Sequence, residues 1–130
     1  MKKVNVAAAI IINDNRILCV QRGDNNLEYI SKKFEFPGGK IEPGELPSET
    51  VVREIREELD MTILVEKEYI IVEHSYPDFH LRMHSYICST KTTEVKLSEH
   101  ISYKWLLKEE LYQLDWAAAD LPIVNALAKS

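Results

Sequence analysis

Residues 38–61 read GGKIEPGELPSETVVREIREELDM, and the fold turns on this stretch. Its second half has a helical period. From Ser48 to Leu59, the apolar residues Val51, Val52, Ile55 and Leu59 fall within an arc of about 100° on a helical wheel. Glu54, Glu57 and Glu58 are spaced i, i+3, i+4 and leave the helix along an arc adjoining the apolar one. The carboxylates therefore belong at the edge of the core. Like charges at these spacings repel by about 0.2–0.5 kcal/mol per pair, and Arg53, which is i, i+4 to Glu57, relieves part of it. Taken alone, such a run reads as a solvated acidic face. The Gly- and Pro-rich turn just upstream, with Glu42 and Glu45, changes that reading. It can fold back and bring backbone carbonyls and another carboxylate to the same helix face, a donor set suited to a hard divalent cation such as Mg²⁺ arriving with substrate phosphates.

Working outward, Phe34-Glu35-Phe36 alternates and reads as a short strand that stops at a Pro37-Gly38-Gly39 turn. Val4 to Ile12 and Ile17 to Val20 flank Asn13-Asp14-Asn15-Arg16 and predict a β-hairpin through residues that tolerate positive φ. Gly23 to Ser31 is a polar loop. Ile63 to Glu73 and Leu81 to Ser89 are β-rich and joined through the turn Tyr76-Pro77-Asp78, and Ser102 to Leu106 is a further strand. Lys108 to Leu114 and Leu121 to Ala128 read as helical. Without regular βα alternation, the order predicts a mixed α+β fold.

The 130 residues suit one domain spanning residues 1–130. At this size the folded surface should be near ~7,000 Å², about a third of that of the extended chain. Sixteen basic against 21 acidic residues give a net charge of −5, which excludes a surface that grips duplex nucleic acid through its phosphates. A polyanionic small molecule would have to be met by a local cation. At 45% hydrophobic and 28% charged residues, the chain is neither disordered nor a membrane protein. Lys2 and Lys3 precede an apolar run, Val6 to Ile12, that is too short for a secretory leader and lacks a small-x-small cleavage site. Cys19 and Cys88 sit in apolar stretches and predict buried thiols of a cytoplasmic protein. His80 and His84 share a sheet face that reads as polar surface rather than a zinc site, and Trp105 and Trp116 read as packing residues.

The run Gly39-x5-Glu45-x7-Arg53-Glu54-Ile55-Arg56-Glu57-Glu58-Leu59-Asp60-Met61 resembles the Nudix box, Gly-x5-Glu-x7-Arg-Glu-U-x-Glu-Glu-x-Gly-U, with U aliphatic. Six of seven fixed positions agree across 23 residues. The resemblance extends to the stretch from Phe34 to Lys40 and to the late segment from Leu114 to Pro122, which look like the MutT-type branch that hydrolyses nucleoside triphosphates. The one departure is Asp60 where the family has Gly. That position closes the helix, and Asp is among the few residues that tolerate a left-handed conformation.

The resemblance implies a mixed β-sheet sandwiched between α-helices. It also implies Mg²⁺-dependent hydrolysis (Mn²⁺ being the alternative metal) of a nucleoside triphosphate to monophosphate and pyrophosphate. Its metal ligands would be Glu54, Glu57, Glu58 and the Gly38 carbonyl, joined by Glu99 from a late loop six residues before Trp105. Glu54 would accept the proton of the attacking water, and Arg53 would hold the carboxylates as a bidentate partner of Glu45 or its neighbours. Arg22 and Lys40 would meet the phosphates. Asp120 stands where the branch commonly has Asn and would read the base. An ionised Asp only accepts, which suits a cytosine amine (CTP or dCTP); a protonated one also donates and suits an oxidised purine such as 8-oxo-dGTP. Pro77, 16 residues past the box, has a spacing associated with ADP-ribose hydrolases and keeps a dinucleotide or ADP-ribose substrate as the alternative. A non-catalytic nucleotide sensor is the other. Monomer and homodimer both stay open.

Overall fold

The computed structural model describes residues 1–130. It contains strands β1 (Lys2–Asn13), β2 (Arg16–Arg22), β3 (Phe34–Glu35), β4 (Gly38–Lys40), β5 (Leu64–Ser75), β6 (Phe79–Ser89) and β7 (His100–Leu106). Helix α1 spans Pro47–Leu59 and α2 spans Leu121–Lys129. The accessible surface is 7310 Å², as expected for this chain length. This is an α+β fold.

The seven strands form one mixed sheet in the order β3-β2-β1-β6-β5, with β4 on β1 and β7 on β2. Asp14 and Asn15, both at positive φ (50° and 65°), make the tight turn of the β1–β2 hairpin. Beyond it the hairpin opens, since β1 and β2 pair only through Ile12–Ile17 and Asn13–Arg16. The segment 34–40 is threaded into the gap: β3 pairs with β2 at Val20 and Gln21, and β4 pairs with β1 from Val6 to Ala8. On its other edge β1 runs parallel to β6 for eleven residue pairs. The buried Ser85 hydroxyl fills an irregularity between β5 and β6, donating to the Ile70 carbonyl at 2.6 Å and accepting from its N–H at 3.0 Å.

Strand alternation splits the core into two layers. Ala7, Ala9 and Ile11 of β1, with Leu18 and Val20 of β2, pack under Val51, Ile55 and Leu59 of α1. Ala8 and Ile10, with Ile17 and Cys19, face Ile123, Val124 and Leu127 of α2. Each fully buried aliphatic side chain contributes about 1.5–3 kcal/mol, so three on α1 are enough to seat the helix. Pro47 opens α1, and the Glu49 carboxylate accepts the Leu46 N–H at 2.8 Å. Asp60 closes it in the left-handed region (φ 52°, ψ 43°), its N–H reaching the Arg56 carbonyl at 3.1 Å.

Two readings of the sequence are corrected and one is refined. Pro37-Gly38-Gly39 is not a simple turn, because Gly38 and Gly39 belong to β4. Strand pairing with β1 at close approach overrides glycine's weak strand propensity. Lys108–Gln113 is helical as expected but in the 3₁₀ form, and it stops because the chain is extended again at Leu114 (φ −98°, ψ 153°). There it leads into Trp116, which pairs with Phe34. Val52 does not share the buried arc; it is 41% exposed, turned about 100° from Val51.

Candidate active site

Where the hairpin opens, a cleft of about 950 Å³ runs between β1, the 34–40 segment, the N-terminal side of the 98–100 segment and the C-terminal layer. Its two ends differ in chemistry. At one end Gly38, Gly39 and Lys40 face Glu54, Glu57, Glu58 and Glu99. At the other, Val4, Val6, Ile30, Phe36, Tyr76 and Phe79 make an apolar and aromatic chamber with Asp120 in its wall. Arg22 and Glu35 line the passage between them.

The acidic end is organised by Arg53. Its Nε and Nη2 donate to the two Glu45 carboxylate oxygens at 2.7 and 3.0 Å, a bidentate pair. Nη2 also reaches the Lys40 carbonyl (3.1 Å), while Nη1 donates to Glu54 (2.9 Å) and Glu57 (3.1 Å). Glu45 accepts as well from the Thr50 hydroxyl (2.7 Å) and the Glu42 N–H (3.1 Å). These bonds, led by those from Arg53, pull its pKa down to about 2. Thus the upstream turn does fold back on α1, and Arg53 is its tie.

Glu58 is the opposite case. Burial first, then a shared hydrogen bond with Glu54 and the charges of Glu54, Glu99 and Glu35, push its carboxyl well above the ordinary range. Its Oε2 is buried without any hydrogen-bond partner. A buried, partnerless carboxylate oxygen beside two further carboxyls wants a cation. Gly39 adds a cradle with no room for a side chain against the Glu54 carboxylate. This oxygen-only donor set fits Mg²⁺ or Mn²⁺. The carboxylates are adjacent rather than gathered at one point; Glu57 is 58% exposed and turned to Arg53.

At the apolar end, Phe34 N–H donates to the Asp115 carbonyl (2.8 Å) and Ala117 N–H to the Phe34 carbonyl (2.9 Å), locking the C-terminal segment onto β3. Trp116 stacks on Phe36 with ring centroids 4.7 Å apart, and it is a core residue. That docking sets Asp120, 5% exposed, where its Oδ1 accepts the Phe36 N–H at 3.0 Å. Burial, then the Glu35 charge, raise the Asp120 pKa well above its usual value, more than the Phe36 N–H and Arg22 lower it. Tyr76 contributes both chamber wall and structure, its hydroxyl accepting the Ala119 N–H at 3.0 Å.

The residues assigned to metal, phosphates and base from the sequence all line this cleft, whereas Arg53 and Glu45 stand behind it as the tie. Arg22 lines the passage with Nη1 3.3 Å from Glu35 Oε1. Lys40 is exposed at the acidic rim. The histidines at 80 and 84 lie elsewhere, and His80 bonds Ser75 (2.8 Å) and Glu73 (2.9 Å). Sequence reasoning missed Glu35, Tyr76 and His100. His100 Nε2 lies 3.0 Å from Glu35 Oε2, a contact between positions 65 apart that no local spacing encodes.

Known proteins resemble the chain over nearly its whole length. The NUDIX domain family model matches residues 1–127. The chain is 31% identical over 129 residues to the 8-oxo-dGTP diphosphatase of Escherichia coli (strain K12), covering 99% of both chains. It is 32% identical to the CTP pyrophosphohydrolase of the same organism, over 97% of this chain and 92% of that one. The solution structure of the Nudix hydrolase MutT from methicillin-resistant Staphylococcus aureus 252 superposes with a TM-score of 0.74 at 40% identity. That match covers 98% of this chain and 97% of the other.

Proposed function

The chain belongs to the Nudix family, and from that premise we propose that it hydrolyses a nucleoside triphosphate to the monophosphate and pyrophosphate, with 8-oxo-dGTP as the preferred type of substrate. The observation that carries the reading is the two-ended cleft: an apolar and aromatic chamber for a base, joined past the Arg22–Glu35 pair to a carboxylate cluster. Glu54, Glu57, Glu58, Glu99 and the Gly38 carbonyl would hold Mg²⁺, or Mn²⁺ in its place. When bound, the metal neutralises phosphate charge and eases approach of the attacking water. Arg53 and Glu45 keep the carboxylates in place; Glu54 takes the proton of the water whose oxygen bonds to phosphorus, and the bridging oxygen departs with the other product. Arg22 and Lys40 receive the phosphates.

Asp120 supports the choice of base. Its Oδ1 is committed to the Phe36 N–H, and burial favours the neutral acid, whose remaining oxygen then carries a proton to donate. A donor suits the carbonyl of an oxidised purine. The second reading, a cytosine nucleotide such as CTP or dCTP, draws on the relative named CTP pyrophosphohydrolase and needs Asp120 ionised.

Product analysis with Mg²⁺ across 8-oxo-dGTP, dGTP, CTP, dCTP, 5-methyl-dCTP and ADP-ribose, scored by kcat/KM, tests both. The highest value for 8-oxo-dGTP supports the proposal, and a cytosine nucleotide in first place replaces it by the second reading. Cleavage of ADP-ribose alone overturns triphosphate hydrolysis. A Glu57→Gln variant that binds nucleotide but does not turn over separates an enzyme from a sensor.

A further inference from the structure

The segment between β6 and β7 has no regular structure until His100, yet Glu99 at its end faces the buried Glu58 carboxyl. Two side chains flanking Glu99 explain how an exposed loop residue is held there. Ser98 Oγ donates to the Glu58 carbonyl at 2.9 Å, fixing the segment to the last turn of α1. His100, its side chain only 5% exposed, is bonded through Nε2 to Glu35 Oε2 at 3.0 Å, fixing it to β3. A third bond, Lys96 N–H to the Leu59 carbonyl at 3.1 Å, sets the direction of approach.

We propose that Ser98 and His100 are positioning residues that clamp Glu99 from both sides over Glu58, so that the late loop contributes a metal ligand only while both bonds are made. The inference rests on the metal-binding reading of the carboxylate cluster. The geometry assigns the two residues different parts. Ser98 ties Glu99 to the helix that carries Glu54, Glu57 and Glu58. His100 ties it to Glu35, whose other oxygen holds Arg22 at 3.3 Å. One carboxylate thereby anchors the arm reaching the metal and the arm reaching the phosphates.

The experiment is Mn²⁺ binding to the nucleotide-free protein, read as free Mn²⁺ by electron paramagnetic resonance, with thermal melts to verify folding. Glu99→Gln, Ser98→Ala and His100→Leu are each expected to weaken Mn²⁺ binding by about tenfold, the size typical when a group orienting a metal ligand is removed. His100→Gln keeps an N–H donor of similar reach and is expected to restore wild-type affinity. In a Glu99→Gln background, Ser98→Ala and His100→Leu are expected to add nothing, because the ligand they position is gone. Full additivity in that background, or wild-type affinity in Ser98→Ala, overturns the clamp. Ser98 is exposed, so its variant reports even if His100→Leu does not fold. Wild-type protein that binds no Mn²⁺ overturns the metal reading itself and the clamp with it. Wild-type protein that binds Mn²⁺ with an affinity Glu99→Gln does not change overturns the clamp alone.

Discussion

Gly39 and Glu54 are fitted to one another: a β-carbon on Gly39 would lie 2.6 Å from both carboxylate oxygens of Glu54. The glycine that begins the motif and the first glutamate of the helical triplet are thus two halves of one contact. The obstruction would fall on the movable end of a side chain. At Gly38 it would fall on backbone, with the Ala8 Cα only 2.8 Å from the added carbon. Gly39→Ala is therefore expected to fold with a nearly unchanged melting temperature and to lose at least about a hundredfold in kcat, since displacement of a reacting group by about 1 Å has that effect. Gly38→Ala is expected to lower the melting temperature sharply. Thermal melts beside steady-state kinetics decide it, and equal melting temperatures for the two variants would refute the distinction.

Asp120 gives a pH signature. Its pKa is raised on folding, so between the ordinary carboxylate range and that raised value the native state keeps a proton the unfolded chain has lost. Stability contributed by the neutral acid is full below the unfolded pKa and falls as pH rises through that window. Asp120→Asn keeps an acceptor for the Phe36 N–H and cannot ionise. Its melting temperature is expected to decline less as pH rises above the ordinary carboxylate range. Parallel profiles would clear Asp120 of the effect. The neutral acid already donates, so the same variant is expected to keep the wild-type ratio of kcat/KM for 8-oxo-dGTP over dCTP within a few-fold, whereas a gain of about tenfold, worth one hydrogen bond of about 1.4 kcal/mol, would show that Asp120 works ionised.

Asp60 replaces the glycine of the motif in a left-handed conformation. Asp60→Gly should relieve about 1 kcal/mol of backbone strain, raising the melting temperature by a few degrees. The pair lost with it, Lys96 to Asp60 at 3.9 Å, is exposed on both sides and worth little. Hydrolysis rates should not change. A lower melting temperature would mean that the Asp side chain does more at this helix end than its contacts suggest.

Cys19 and Cys88 are both buried, and burial pushes each thiol up to about 12. They also lie in different core layers, Cys19 toward α2 and Cys88 toward α1, so the sheet stands between them. Neither should react with a disulfide reagent at pH 8 in the native protein, and both should react in denaturant. A fast native thiol would show that one layer opens readily.

Much of this was legible in the sequence because it is local. The spacing of Glu54, Glu57 and Glu58 gave a helix face, and Asn13-Asp14-Asn15 gave a hairpin, since both depend on neighbours within a few residues. The strand character of Gly38 and Gly39 was not legible, because two glycines extend there only under contact with β1 and α1. The Arg53–Glu45 tie was foreseen from the motif. The Glu35–His100 bond and the Asp120–Phe36 bond were not, being long-range contacts that follow no period. The exposure of Val52 shows the limit of a helical wheel: it ranks the edge of an arc with its centre.

The division of the core by β1 has a further meaning. The carboxylate end of the cleft rests on the layer under α1, and the apolar chamber on the layer toward α2. On the proposed function, the side chains that select the base and those that serve hydrolysis pack in different layers. On that reading, one nucleobase is exchanged for another through a few chamber residues, with the carboxylate end left as it is.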